Sequence, residues 1–412
     1  MSHKLNIVPR TLTCLDIGSS QIKGIVTERG KDNIVSCVSA FKHPSSGLRK
    51  GVLVDVEDAR ETLEELMEEL RQVSKEATKN VFVNINSEHI KVRISRGISA
   101  VGQPDKEIRQ EDVERAVQSS RAAKMLPNYK VLHTMIREFF VDDIGDIQDP
   151  VGMSGSRLEV STLLVEAFAP HFDVLGRTLE ETGANVDGIV FNPFAASRSI
   201  LTKKQKELGV IMVDIGAGTT TLAAFEEMKP LFAKSLPVGS GHITNDLAVG
   251  LKIPVDIAEK IKIKQGTALS KKVPLRDTIE LSEFDPSLKE EVSRRFVTEI
   301  IEVRVAEIID ILNNELESLR ERFEFPSGIV VTGGGVKLEG ITELMRQKIG
   351  LPVQIGIPDI SRLEIPNPTY EKLIDDPEFS TAIGLIGVGI SGAPRQKSAT
   401  RAVKNFVRNL IP

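Results

Sequence analysis

The sequence is poor in the residues that mark disulfide-stabilised domains and nucleic-acid surfaces. Its 412 residues include two cysteines, no tryptophan and 4% aromatic residues in all. Cys14 and Cys37 cannot form a disulfide framework, and no metal-ligand spacing surrounds either of them. The net charge of −5 provides no overall basic field, and few aromatic side chains are available to stack on bases. We therefore expect no nucleic-acid partner.

Long apolar runs are missing as well. The longest one, AIGLIGVGI at 382–390, is far below the roughly 20 residues that a membrane span requires. The first residues contain no apolar run of the kind found in signal peptides. We therefore expect the body of the chain to be cytoplasmic.

The remaining composition is typical of a soluble globular protein, and the order of the predicted elements indicates an α/β architecture. Hydrophobic residues make up 41% and charged residues 27%, and the length favours two or three units with their own cores. Alternating β-branched runs at 11–41 predict a β-meander, and helix–strand alternation follows from residue 165. Helical spacing dominates 241–322, where 287–319 predicts one long helix. The expected apolar stripe of that helix comprises Val292, Phe296, Ile300, Ile308 and Leu312.

One short pattern occurs twice. LDIGSSQIKG at 15–24 and VDIGAGTTTL at 213–222 each place an aspartate at the end of an apolar strand, before a turn of small and hydroxyl residues. Glycines let backbone N–H groups approach an anion closely, and hydroxyl groups add donors. A carboxylate beside bound phosphates suits a Mg²⁺ ion held through water. The repeat therefore predicts two similar halves that face each other. The hydroxyl donors would be those of Ser19, Ser20, Thr219 and Thr220.

A third glycine loop follows another apolar strand. In VVTGGGVKLEG at 330–340, the glycines leave room for the backbone to approach a flat base. A single Asp-x-Gly turn is a common hairpin signal and carries little weight alone. Two copies together with the third loop favour a nucleotide site over three unrelated glycine turns.

The last segment differs in charge from the rest. No acidic residue follows Glu378, and SGAPRQKSAT at 391–400 has the composition of a flexible linker. Apolar residues at helical spacing then alternate with basic ones, which predicts an amphipathic helix in a membrane interface. Docking of this helix on the body of the chain is the alternative. The candidate membrane residues are Val403, Lys404, Phe406, Val407, Arg408, Leu410 and Ile411.

The sequence resembles the actin/Hsp70/sugar-kinase ATPase clan and, within it, the FtsA family of bacterial cell-division proteins. The resemblance covers nearly the whole chain and rests on LDIGSSQIKG, LHTMIREFFVDD, DPVGMSG, LGVIMVDIGAGTT, AEKIKIKQGTAL, VTGGG and the amphipathic end. It implies an α/β, actin-like ATPase fold in which two similar halves surround a nucleotide cleft, with an inserted α+β subdomain. The implied divisions are subdomain 1A at 1–86, 165–197 and 363–390, an inserted SHS2-type subdomain 1C at 87–164, subdomain 2A at 198–240 and 323–362, subdomain 2B at 241–322, a linker at 391–398 and the amphipathic helix at 399–412.

The resemblance also implies which residues bind ATP and Mg²⁺. The metal would be oriented by Asp16 and Asp214 through water. Glu259 and Lys262 would reach the ribose and base, although a solvated helix face is the simpler interpretation of their stretch. The candidate nucleotide-binding residues are Asp16, Gly18, Ser19, Ser20, Lys23, Asp214, Gly216, Gly218, Thr219, Thr220, Gly239, Gly241, Glu259, Lys262, Gly333, Gly334 and Gly335.

One position departs from the family pattern. In FNPFAAS at 191–197, Asn192 stands where active relatives carry an acid or amide that positions the attacking water. Its side chain is neutral and short, so it cannot act as a general base. Asn192 is therefore a poor candidate for the residue that positions the attacking water. The alternative is that it caps the helix begun by Pro193. In either case we expect ATP binding with at most slow hydrolysis.

The function implied by the resemblance is a filament-forming tether at the division site. Such a protein would polymerise, bind the FtsZ C-terminal peptide near Arg304, attach to an anionic membrane surface and recruit late divisome proteins. It would be cytoplasmic and peripheral on the cytoplasmic face of the inner membrane. Arg304 as an ordinary solvated helix charge is the alternative for that residue. An FtsA-like pilus-assembly ATPase and a metabolite kinase of the same clan are the alternative functions, and a kinase has no use for a basic amphipathic end.

Overall fold

A computed structural model describes residues 10–102, 105–123 and 126–391. The predicted linker, except Ser391, and the predicted amphipathic helix with its candidate membrane residues lie outside these ranges. No helix within them is long and apolar enough to cross a membrane. Both cysteines are buried and free, as the sequence predicts.

The strands and helices follow one another along the chain with short connections. The strands are β1 (Thr11–Ile17), β2 (Gln21–Arg29), β3 (Val35–Pro44), β4 (Leu48–Arg49), β5 (Val52–Leu53), β6 (Val81–Ile85), β7 (Lys91–Ala100), β8 (Tyr129–Val141), β9 (Ile144–Ile147), β10 (Arg157–Phe168), β11 (Val186–Phe191), β12 (Val210–Ile215), β13 (Thr220–Glu226), β14 (Lys229–Leu236), β15 (Thr278–Glu280), β16 (Glu291–Ser293), β17 (Ile329–Thr332), β18 (Val353–Ile355) and β19 (Leu363–Glu364). The α-helices are α1 (Val56–Val73), α2 (Gln110–Ala122), α3 (Ala169–Glu181), α4 (Asn192–Ile200), α5 (Lys203–Leu208), α6 (Ser240–Leu251), α7 (Val255–Gln265), α8 (Arg294–Arg320), α9 (Ile341–Ile349), α10 (Pro368–Ile374) and α11 (Ser380–Ile390).

Two large sheets share one topology, which the repeated loop pattern predicts. The first has the strand order β11-β6-β1-β2-β3-β19, and the second has the order β14-β13-β12-β17-β18. In each sheet an antiparallel meander is followed by parallel strands, with β1 and β12 in equivalent positions. Because β1 and β12 end at equivalent edges, the turns that follow them carry the two copies of the pattern.

Strand β1 is buried along its whole length, because both of its faces are covered. Leu15 lies in a core shared with Leu63 and Leu66 of α1. Cys14, on the other face, packs in a second core with Leu385 of α11. A strand covered in this way has a fixed register, so the position of Asp16 at its end is fixed as well.

The segment between β7 and β10 forms a separate four-stranded sheet with the order β7-β10-β8-β9, and α2 packs against β7 and β10. It has a small core of its own around Ile108, Val117 and Leu158. Leu163 of the same sheet, however, belongs to the core that contains Leu15. The inserted unit is therefore packed into the first half rather than attached by a linker.

Helix α8 begins later than the sequence indicates. The prediction of one helix over 287–319 is wrong at its start, because Glu291–Ser293 pairs with β15 as strand β16. Ser293 then caps the helix by accepting a hydrogen bond from the Phe296 N–H. Ile308 and Leu312 are buried as predicted, but Phe296 is exposed. The buried side of the helix comprises Val297, Thr298, Ile301, Val305, Ile308, Ile309, Leu312, Leu316 and Leu319.

Candidate functional site

A cleft of about 410 Å³ lies where the ends of β1, β12 and β17 meet. Its walls come from both halves of the chain, so residues far apart in sequence face one another across it. The predicted site residues that line it are Asp16, Gly18, Ser19, Ser20, Lys23, Asn192, Asp214, Gly216, Gly218, Thr219, Glu259, Lys262, Gly333, Gly334 and Gly335.

The two repeated turns have the same hydrogen bond. The Gly18 N–H donates to the Gln21 carbonyl at 3.1 Å, and the Gly216 N–H donates to the Thr219 carbonyl at 2.9 Å. The turns also touch, because a Cβ on Gly218 would lie 2.7 Å from Ser19 Oγ. A side chain at position 218 would crowd Ser19 and the Lys50 N–H, so the glycine there permits the close contact between the two loops.

The strand register decides which side chains behind each turn face the cleft. Asp16 pairs with Lys23 across the first hairpin, and Asp214 pairs with Thr221 across the second. Lys23 Nζ lies 2.7 Å from Asp16 Oδ2. Burial opposes protonation of Lys23, but the nearby Asp16 carboxylate outweighs it and raises the pKa of the lysine.

Asp214 lies on the cleft floor, away from bulk water. Burial raises the pKa of its carboxyl to about 6, and the negative charge of Asp16 adds to the shift. Two carboxylates therefore face one enclosed space with one lysine between them. This arrangement favours the binding of a cation, or of an anionic group that binds together with a cation.

Two asparagines connect these carboxylates. Asn84 Nδ2 donates to Asp16 Oδ1 at 2.7 Å and to Asn192 Oδ1 at 2.9 Å. Asn192 Nδ2 in turn donates to Asp214 Oδ2 at 2.7 Å. The alternative role of Asn192 as a helix cap is wrong, since the N-cap of α4 is Phe191 and no side chain caps that end.

The third glycine loop closes the cleft beside Asp214. Gly333 has φ +87°, and its N–H donates to the Pro377 carbonyl at 3.2 Å. Lys337 lies two residues after Gly335, and its Nζ is 2.7 Å from Asp376 Oδ2 and 3.1 Å from Glu378 Oε1. These ion pairs join the loop to the segment before α11. Because α11 packs on β1, the third loop is tied to the half of the molecule that contains the first sheet.

Glu259 and Lys262 project from α7 toward the cleft. Lys262 Nζ donates to Thr244 Oγ1 at 2.8 Å and lies 2.6 Å from Glu259 Oε2. Lys262 is 9% exposed. A solvated helix face does not describe Lys262, because its side chain is buried and paired with Thr244 and Glu259.

Three predicted residues do not line the cleft. Thr220 is fully buried because it occupies the position of Ile22 in the first copy and points into the core. The Gly239 N–H donates to His242 Nδ1, and the Gly241 N–H donates to the Ala217 carbonyl. Both glycines therefore shape the loop around Ser240, which does line the cleft.

Sequence reasoning missed several polar residues of the cleft. Asn84 is the last residue but one of the buried strand β6 in NVFVNIN, and Asn86 follows that strand, at the edge where β1 also ends. Asn86 Nδ2 donates to Thr219 Oγ1 of the second half at 2.6 Å. Polar residues at the carboxyl end of a buried parallel strand were the signal for both. Ser240 and Thr381 also line the cleft, and no comparable local signal marks them.

Arg304 lies on α8, away from the cleft, and is partly buried. Its Nη2 donates to Asp246 Oδ1 at 3.0 Å, and its Nη1 lies 2.7 Å from Glu307. Arg304 therefore ties α8 to α6 and is not simply a solvated helix charge. Val249 and Val303, on the same two helices, are 79% and 61% exposed.

The chain matches two family profiles. The profile described as Cell division protein FtsA matches residues 211–384, and the SHS2 domain inserted in FTSA matches residues 87–166. The cell division protein FtsA of Pseudomonas aeruginosa is 32% identical over 91% of this chain and 88% of its own length. The chain belongs to the FtsA family. The FtsA of Escherichia coli is 28% identical over 96% of this chain and 95% of its own length.

Solved structures agree with this FtsA assignment at the level of the fold. The PilM-PilN type IV pilus biogenesis complex matches with a TM-score of 0.63 at 17% identity, covering 93% of this chain and 99% of the other. MreB5 of Spiroplasma citri bound to ADP matches with a TM-score of 0.52 at 14% identity, covering 91% and 95%. The predicted actin-like fold with an inserted SHS2 domain is thus confirmed. As a member of the FtsA family, the chain is a cell-division protein, and its partners belong to the cell-division machinery.

Proposed function

We propose that this FtsA-family protein binds MgATP in the cleft, polymerises, and tethers the FtsZ polymer to the cytoplasmic face of the inner membrane at the division site. The observation that carries the nucleotide part is the pairing of the two loops, whose matching turns meet in front of Asp16 and Asp214. The structural neighbour MreB5 is bound to ADP, which supports a nucleotide in a cleft of this fold. In this view ATP acts as a switch that favours a closed, filament-forming state.

The donor set of the cleft floor fits Mg²⁺. Asp16 and Asp214 offer hard carboxylate oxygens, and Mg²⁺ is commonly held by one or two carboxylates together with water and phosphate oxygens. No group of three or more His, Cys, Asp or Glu side chains that could hold a metal occurs in the described ranges. Bound Mg²⁺ would neutralise phosphate charge, while Lys23 would approach the same phosphates.

Hydrolysis should be slow, because Asn192 is poorly placed to orient a water. Its Oδ1 accepts hydrogen bonds from Asn84 and from Thr381 Oγ1, the latter at 3.0 Å. Both lone pairs of that oxygen are therefore occupied. A steady-state turnover above about 1 s⁻¹, the low end for ordinary enzymes, would contradict this part of the proposal.

Calorimetry with MgATP tests the site directly. Asp214→Ala should abolish the Mg²⁺-dependent affinity while the fold remains intact. Asp310→Ala is the matched control, because Asp310 is an exposed aspartate of α8 that pairs with Lys348. Equal affinities for wild type and Asp214→Ala would refute the assignment, and lost affinity in the control would point to a general effect on stability.

Assembly and tethering rest on family membership and on the sequence of the tail. FtsZ is expected to dock on 241–322, where α6 and α8, the helices that Arg304 joins, carry the exposed Val249 and Val303. The basic, amphipathic end of the chain would supply the membrane contact. Electron microscopy of the ATP-bound protein on an anionic lipid monolayer should show filaments, which should be missing for Asp214→Ala.

A further inference from the structure

The amide of Asn84 has only one possible orientation. Its Oδ1 accepts a hydrogen bond of 2.6 Å from the backbone N–H of Ile17, the residue after Asp16. A backbone N–H can only donate, so the oxygen of Asn84 must face it. The NH₂ group of Asn84 therefore points at Asp16 and at Asn192.

The orientation of the Asn84 amide also fixes the orientation of the Asn192 amide. Because Asn84 donates to Asn192 Oδ1, and Thr381 Oγ1 donates to the same oxygen, the NH₂ group of Asn192 must face the other way. There it donates to Asp214 Oδ2 at 2.7 Å. One backbone N–H in β1 thus sets the direction of a chain of hydrogen bonds that runs from Asp16 through two amides to Asp214.

We infer that Asn84 is a positioning residue that holds Asp16 and Asp214 at the separation and orientation needed for Mg²⁺. The inference rests on the proposed MgATP site. Asn84 lies at the end of β6 in the first half, whereas Asp214 ends β12 in the second half. The amide chain therefore fixes a distance between the two halves that neither sheet fixes alone.

Amides suit this task better than charged groups. Two carboxylates on one floor repel each other, and the N–H donors reduce the repulsion without adding a second cation beside Lys23. Asn84 and Asn192 are each 3% exposed. Displacing either would leave buried polar groups without partners, which makes the arrangement rigid. Asn192 accordingly serves to hold Asp214 rather than to orient a water.

The test is the ATP affinity of the full chain, measured by calorimetry across free Mg²⁺ concentrations and in EDTA. Asn84→Leu keeps the approximate size of the side chain but removes its donors. It should raise the Mg²⁺ concentration for half-maximal effect about tenfold, as is usual when a group behind a metal ligand is lost. Its ATP affinity in EDTA should stay within about twofold of wild type, because the hydrogen bonds that are lost join Asn84 to Asp16, to Asn192 and to the Ile17 N–H within the protein.

Two further variants keep the result interpretable. Thr381→Val removes a hydroxyl that bonds to Asn192 Oδ1 and also stabilises the Asp214 carboxylate directly. It leaves both amides in place and should shift the Mg²⁺ dependence in the same direction, even if Asn84→Leu does not fold. Thr162→Val removes a buried hydroxyl in the inserted sheet that bonds to Ser95 and Ser120. It should change neither the ATP affinity measured with Mg²⁺ nor the ATP affinity measured in EDTA.

Three outcomes are decisive. A selective loss of the Mg²⁺-dependent affinity in Asn84→Leu and Thr381→Val supports the inference. Equal losses with and without Mg²⁺, or no loss in folded variants, would overturn it while leaving the nucleotide site intact. A wild-type protein that binds no ATP, or binds it equally well in EDTA, would instead overturn the proposed function, and the inference with it.

Discussion

Gly333 stands directly against the carboxylate of Asp214. A Cβ placed on Gly333 would lie well inside 3.0 Å of Asp214 Oδ1, and the backbone there has φ +87°. Glycine is therefore required at this position for two independent reasons, the left-handed backbone and the space taken by the aspartate. The contact joins the third loop to the metal-binding carboxylate that we propose.

Gly333→Ala should therefore damage the cleft beyond its effect on the backbone. Gly333 has φ +87° and ψ 173°, a backbone region essentially confined to glycine, which costs an alanine about 1–3 kcal/mol. Gly350→Ala is the control for positive φ, since Gly350 has φ +77° in the left-handed helical region and nothing within 4 Å of a Cβ. We expect both variants to lower the free energy of unfolding, and only Gly333→Ala to lower MgATP affinity in calorimetry. Unchanged affinity in Gly333→Ala would show that the loop yields without moving Asp214.

Arg304 offers a test of the proposed FtsZ contact that separates a role in docking from a role in packing. Arg304→Asp should break the ion pair with Asp246. For a partly exposed pair, this lowers the free energy of unfolding by about 1 kcal/mol. The charge-swapped protein, with Arg304→Asp and Asp246→Arg together, should recover the melting temperature. If Arg304 contacts the FtsZ peptide, peptide affinity by fluorescence anisotropy should stay low in both proteins. Recovery of affinity in the swapped protein would assign Arg304 a packing role only.

The amphipathic end should bind membranes through its apolar side. Each basic residue near an anionic leaflet contributes about 1 kcal/mol, so attraction alone is weak and sensitive to salt. Phe406→Glu should release the protein from anionic liposomes in a sedimentation assay without changing ATP binding. Asn405→Glu adds the same charge on the polar side and should retain most of the binding. Equal sedimentation of Phe406→Glu and wild type at physiological salt would exclude this segment as the anchor.

Lys206 should destabilise the fold below about pH 8. Burial, followed by the charges of Arg198 and Lys203, lowers the pKa of its ammonium group to about 8 from an ordinary 10.5. The folded protein thus binds this proton less tightly than the unfolded chain. Stability should therefore rise with pH between these two values, and the cost below pH 8 is about 3 kcal/mol.

Removing the charge should reveal that cost. Lys206→Met should raise the free energy of unfolding at pH 7 by about 2 kcal/mol, after allowance for the lost contact with the Phe225 ring. The gain should shrink as the pH rises toward 10, as followed by urea denaturation. Lys204→Met, an exposed lysine on the same helix, should change stability by less than about 0.5 kcal/mol at every pH. A pH-independent gain in Lys206→Met would show that packing, not charge, is responsible.

Features set by neighbours in the chain could be predicted from the sequence. The aspartates at the ends of β1 and β12 follow from apolar runs that stop at a glycine turn, and the repeat predicts two halves with one topology. The prediction that Thr220 lines the cleft is wrong, because it rested on the hydroxyl group and not on the strand register. Thr220 aligns with Ile22 of the first copy, and a side chain at that position points into the core. The start of α8 was also misplaced, since helical spacing does not show that 291–293 pairs with β15.

The amide chain in the cleft was decided by the tertiary structure alone. Asn84 and Asn192 are 108 residues apart, and Asn192 and Asp214 belong to different halves. Local propensity fixes which residues end a strand or begin a helix, because those choices depend on nearby backbone and side chains. Which buried donor meets which acceptor depends instead on how the two sheets pack, since a hydrogen bond forms only within a few tenths of an ångström of its preferred distance. The sequence therefore determined the two loops and their aspartates, whereas packing of the halves determined what holds those aspartates in place.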